Sequence, residues 1–220
     1  MSAFASSHLM WARLRPNAAA LLVFVALPLV SLALWGAGSR DAGRWMQLLL
    51  TGWLLIGVLP AALLGRMERS VLARWKSLPV SAGEHWIGAF IALLPVTLVP
   101  GALLTVGAWL IGPASYQHPA LLLVGAVTVA TMVSLGLAIA TWSDTDWKLV
   151  GLLGLALLIC VVPLFSGAPS ILNELVPTGQ ARSALVALTS DAQGGIFAML
   201  KLVMAAAVFV IVGILGERRA

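Results

Sequence analysis

The sequence predicts an all-α membrane protein. Six transmembrane helices are expected, with an N-terminal interfacial elbow helix and a short cytoplasmic helix between the second and third spans. Three observations carry this. The 220 residues are 61% hydrophobic and only 10% charged, with a mean hydropathy of +1.03. An ordinary soluble domain is about half apolar and about a quarter charged, so a soluble fold of this size lacks the charge to cover its surface. The apolar residues gather in runs near the length of about 20 that carries a helix across roughly 30 Å of hydrocarbon. The basic residues lie between those runs.

The spans fall at about 18–37, 45–65, 87–112, 120–141, 149–166 and 196–216, within a single transmembrane domain covering residues 1–220. Each is expected to be helical, because lipid offers a backbone no other hydrogen-bond partner in an open chain. Ahead of the first span, Phe4, Leu9, Met10, Trp11 and Leu14 alternate with Ser6, Ser7, His8, Arg13 and Arg15. Such a segment lies in the interface plane, its arginines snorkelling to phosphate, and Pro16 and Asn17 break it before the span. The first apolar run exceeds the 7–15 residues usual in a signal peptide and ends without a small-x-small site, so it reads as a retained span. In the third span, Pro95 and Pro100 each remove a backbone donor and mark either a flexible stretch or packing kinks.

Orientation follows from Lys and Arg. With both termini in the cytoplasm, Arg13, Arg15, Arg66, Arg69, Arg74, Lys76, Lys148, Arg218 and Arg219 lie inside. Arg40, Arg44, Arg182 and Lys201 then lie outside, a division of nine to four. The net charge of +5 is therefore a topology signal and not a nucleic-acid footprint.

Soluble chemistry is mostly excluded. No Gly-Lys dipeptide occurs, so the chain has no phosphate-binding loop, and no H-E-x-x-H zinc motif occurs. The single cysteine, Cys160, sits in an apolar run and forms no disulfide within the chain. His8, His85 and His118 fall at or beyond span ends, where solvation is the expected state. Lys201 alone brings a charge into an apolar run, near enough its end to snorkel. Asp144 and Asp146 flank the inner loop after the fourth span. Without carboxylates along the spans a proton pathway has no carriers, so energy for any transport must enter from elsewhere.

The stretch from Arg66 to Ser81 is the most informative. Val71, Leu72, Trp75 and Leu78 share one helical face, while Arg66, Arg69, Arg74 and Lys76 occupy much of the rest. Pro79 stops that helix, and Ser81 with Glu84 forms a capping box for the next. From these residues alone the segment serves equally as a basic anchor for anionic lipid or as a docking element for a cytoplasmic partner.

The order Arg66-x-Glu68-Arg69, a short helix, then Ser77-Leu78-Pro79-Val80-Ser81 resembles the first cytoplasmic loop of ABC-2-type transporter permeases. Asn17 and Leu27-Pro28-Leu29 are similar to that family's N-terminus, and Phe165 through Pro177 resembles its region between the last two spans, which often holds short re-entrant helices. Ser70 departs from the family's usual Gly-Thr or Gly-Ser, and the outer Asn-Pro is missing. The resemblance implies a permease subunit of an ATP-driven ABC exporter, an inner-membrane protein of bacteria that pairs with a second permease copy, as homodimer or with a paralogue. It implies a separate ABC ATP-binding subunit, with ATP on that partner and no cofactor or metal on this chain. Under it Glu68, Arg69, Arg74, Trp75 and Lys76 form the partner interface of a coupling helix, with Arg66 anchoring it at the membrane edge. Two alternatives stay open: the membrane subunit of a cytochrome c maturation haem exporter, with Tyr116 and His118 as its outer groups, and a non-transporting scaffold or intramembrane enzyme.

Overall fold

The computed structural model describes residues 41–72, 81–164, 170–190 and 192–219, together with two isolated helical positions, Ala26 and Val30. The expected first span and elbow helix lie outside the described residues apart from those two positions. Among the described residues the chain is helical, with no strand. The helices are α1 (Ala42–Leu72), α2 (Ala82–Ile111), α3 (Ala120–Trp142), α4 (Asp146–Val161), α5 (Ser170–Leu175), α6 (Pro177–Ser190) and α7 (Ala192–Arg218). Short 3-10 turns occupy Ala114–Tyr116 and Val162–Leu164. Of these helices, 5 are long and apolar enough to cross a membrane, namely α1, α2, α3, α4 with its 3-10 extension, and α7. The chain is an all-α, multi-pass membrane protein.

Two helices run well beyond the apolar runs they contain, each for a local reason. The second span was expected to end near Gly65, with a separate amphipathic helix beyond. α1 itself runs unbroken to Leu72, past the end of the apolar run at Gly65. Met, Glu and Arg are good helix formers and nothing there breaks the hydrogen-bond ladder. α2 begins at Ala82, ahead of the apolar run, because the capping box starts it. Ser81 Oγ accepts from Glu84 N at 3.2 Å, and Glu84 Oε2 accepts from Ser81 N at 3.1 Å. Past Pro95 and Pro100 the helix continues, and Thr97 Oγ1 adds bonds to Leu93 O and Leu94 O at 3.0 and 3.1 Å.

α3 is the central helix, with 67% of its most apolar window buried, against 22% for α4 and 17% for α7. It packs on α1, α2, α6 and α7. Glycines set the closeness of the α1–α3 seam: a Cβ on Gly136 would lie 2.5 Å from Val58 O and 2.8 Å from Ala61 Cβ. Fully covered Trp53 on α1 donates from Nε1 to Thr105 Oγ1 of α2 at 3.1 Å. Gly125 of α3 closes over that pair. Because lipid tails are as apolar as leucine, such contacts hold the bundle by packing and hydrogen bonding more than by removing apolar surface from water. The buried hydroxyls of α3 are satisfied within that helix, as Thr128 donates to Val124 O at 2.7 Å and Ser134 to Ala130 O at 3.0 Å. Thr131 also reaches Leu202 O of α7 at 3.3 Å. The outward faces of α4 and α7 present Val150, Leu155, Leu158, Phe197, Val203 and Val208, the residues a bilayer would cover.

Candidate functional site

The helix ends form two polar layers. One collects the finish of α1, the start of α2, the finish of α3, the start of α4 and the finish of α7; it is called the Arg66 end below. Here Arg66 leaves α1 toward the three-residue turn between α3 and α4. Its guanidinium donates from Nη2 to Asp144 O at 2.6 Å, while Nε lies 3.7 Å from Asp146 Oδ1. Arg66 is mostly covered, its side chain 21% exposed, whereas Asp146 is 92% exposed. The Asp146 pair is therefore worth little, and the short charge-assisted bond to the Asp144 carbonyl dominates.

The turn that receives Arg66 is itself fixed. Ser143 Oγ donates to Ile139 O at 2.6 Å. Thr145 caps α4 by accepting from Lys148 N at 3.3 Å, and Lys148 Nζ donates to Asp144 Oδ2 at 2.7 Å. That bond from Lys148 holds the Asp144 carboxyl below the usual carboxylate range. Immediately before Arg66, Gly65 packs so closely on α3 that a Cβ there would lie 2.9 Å from Leu137 Cδ2 and 3.0 Å from Ala140 Cβ. Residues 65 and 66 thus bind α1 to α3 and to the turn that follows it.

A second set of contacts joins α2 and α3 to α7. His85 Nδ1 lies 3.0 Å from Glu217 Oε1, off the line of a hydrogen bond, with the two side chains 15% and 13% exposed. His85 was expected to be solvated, and the fold instead covers it with α7. The next residue, Trp86, stacks on Phe90 with centroids 5.7 Å apart and lies flat on Gly213, where no Cβ fits. Trp142 seats on Gly216, donates from Nε1 to Val212 O at 3.0 Å, and carries the Arg219 guanidinium 4.6 Å from its ring centroid. Two tryptophans thus meet two glycines of α7, a pairing of residues too distant in sequence to show there.

Of the residues expected to carry partner docking, only Arg66 has a described side chain. Glu68 and Arg69 lie on the helical backbone of α1, beyond its apolar stretch. Arg74, Trp75 and Lys76 lie outside the described residues.

The opposite layer contains the other residues singled out from sequence. Tyr116 is buried and donates to Ala42 O at 2.8 Å. Burial, with Asp41 adding a smaller effect, pushes its hydroxyl up to about 12. His118 Nδ1 accepts from Ala120 N at 3.2 Å at the start of α3. Lys201 lies 3.8 Å from Glu174 Oε2 of α5. α6 closes over the end of α4: Thr178 donates to Cys160 O, and Arg182 donates to Pro163 O at 2.7 Å. Among the described residues no group of three His, Cys, Asp or Glu side chains is placed to hold a metal ion. Compared with protein-family models and with curated proteins, the chain matches none.

Proposed function

We propose that this chain is the permease subunit of an ATP-driven exporter of the ABC-2 type. In this reading it sits in the bacterial inner membrane with both termini cytoplasmic, pairs with a second permease copy, and is powered by a separate ATP-binding subunit. The observation that carries the reading is the end of α1. The helix outlasts its apolar run, which ends at Gly65, and its backbone continues to Leu72 through Glu68 and Arg69, while Arg66 ties it to the α3–α4 turn. A helical extension beyond the apolar run is a form that a docking element for a cytoplasmic motor can take. The distribution of charge supports the same view. Among the described residues α3 carries no charge, and the charges of the other spans lie toward their ends. Such a bundle offers no relay of ionisable groups for ion coupling, and the sequence has no phosphate-binding loop of its own.

The test is affinity purification of the chain from its native membrane, with Glu68→Lys and Arg74→Glu beside the unaltered protein. The unaltered chain is expected to bring an ATP-binding subunit with it, and both variants to lose it while keeping their own membrane yield. Retention of the subunit and of ATP hydrolysis by both variants would remove the docking assignment.

A further inference from the structure

The junction at Gly65 and Arg66 has a mechanical meaning. Gly65 lets α1 approach α3 closely, Leu137 and Ala140 filling the space that a side chain at 65 would take. Arg66 then crosses to a main-chain carbonyl, Asp144 O, in the turn joining α3 to α4. A carbonyl is a fixed acceptor, unlike a carboxylate on a rotatable side chain, and this one belongs to a turn already held by Ser143, Thr145 and Lys148. α2 has different attachments at this end. Its first turn meets α7 through His85 and Glu217 and through Trp86 on Gly213. The two helices that flank residues 73–80 are therefore fastened to different neighbours, α1 to the α3–α4 turn and α2 to α7.

We propose that Arg66 is a positioning residue that makes the end of α1 and the α3–α4 turn move as one body, so that displacement of α1 beyond Met67 reaches α3 and α4 directly. This rests on the proposed function for the source of the displacement. The linkage itself belongs to the chain alone and is tested without the partner.

The experiment is amide hydrogen exchange on the full chain in lipid nanodiscs, comparing wild type, Arg66→Ala and Arg66→Lys. The reporters are the amides of Lys148 and Leu149, which donate to Thr145 Oγ1 and Thr145 O. The His85 amide, bonded to Ser81 O at 3.0 Å, is the control. Loss of a charge-assisted hydrogen bond is expected to speed exchange at the two reporters about tenfold or more in Arg66→Ala. Arg66→Lys, which keeps a cationic donor, is expected to recover most of the protection, and His85 is expected to stay unchanged. A structural tie alone predicts no more than this. The positioning role also predicts that, in the complex with the ATP-binding subunit, ATP alters exchange at Lys148 and Leu149 in wild type and Arg66→Lys but not in Arg66→Ala. Unchanged exchange in Arg66→Ala, or an ATP response at Leu149 that persists in it, overturns the proposal. If no ATP-binding subunit accompanies the chain, the functional reading falls while the nanodisc comparison still decides the linkage.

Discussion

The substitution Gly136→Ala puts the packing account at risk with one methyl group. Its Cβ would lie 2.5 Å from Val58 O, 2.8 Å from Ala61 Cβ and 3.1 Å from Ala62 N. Two of those three are backbone atoms of α1, which cannot rotate aside. Restoring an ordinary contact of 3.4 Å requires the helices to part by about 0.9 Å, the difference between 3.4 and 2.5. A gap of 0.5–1 Å forfeits roughly a quarter to a half of the dispersion energy along the separated surface. The expected cost is about 1–3 kcal/mol, the usual range for overpacking a tight interior. The matched control is Gly151→Ala on α4, where a Cβ meets nothing within 4 Å. Removing a helix glycine there is expected to be neutral or to stabilise by up to about 1 kcal/mol. Reversible unfolding in mixed micelles, followed by tryptophan fluorescence, measures both. The reasoning is refuted if the two substitutions shift the midpoint in the same direction by similar amounts.

Other outcomes follow from single contacts. Thr105→Val leaves the buried Trp53 Nε1 without its acceptor and is expected to cost about 0.5–2 kcal/mol in the same assay, with Thr105→Ser recovering most of it. Tyr116 is the chain's one tyrosine, so tyrosinate absorbance reports it alone; the midpoint is expected at about 12, above the ordinary 10.0. Because the folded state keeps this proton longer, its contribution to stability is complete below pH 10 and is lost as pH rises toward 12. In Tyr116→Phe that part of the alkaline loss of stability is expected to disappear.

What the sequence made legible was local or periodic. The capping box of Ser81 and Glu84 shows because its partners are three residues apart, and the long apolar helices show because lipid imposes their length and composition. Hydropathy reports where the apolar run stops, near Gly65, and it does not show that the helical backbone carries on through Glu68 and Arg69 to Leu72. The segment between the fourth long helix and the last reads from sequence as a long connection, and α5 and α6 occupy it. Their anchoring of α4 through Thr178 and Arg182 was not legible, since each acceptor is a main-chain carbonyl common to every residue. The same reason hid the role of Arg66. Its basic character suggested a membrane-edge anchor, and only the fold brings Asp144 O, 78 positions away, within 2.6 Å. His85 likewise reads as a solvated residue at a span end until α2 and α7 are packed together.

In the proposed function the bundle is driven by an ATP-binding subunit docked at its Arg66 end. The most direct measurement is purification of the unaltered chain from its native membrane, identification of what accompanies it, and assay of ATP hydrolysis after reconstitution in lipid. An ATP-binding subunit in equal amount is expected, with hydrolysis that disappears when that subunit is stripped away. A chain that purifies intact from native membrane with no ATP-binding protein, and no hydrolysis in any fraction containing it, contradicts it.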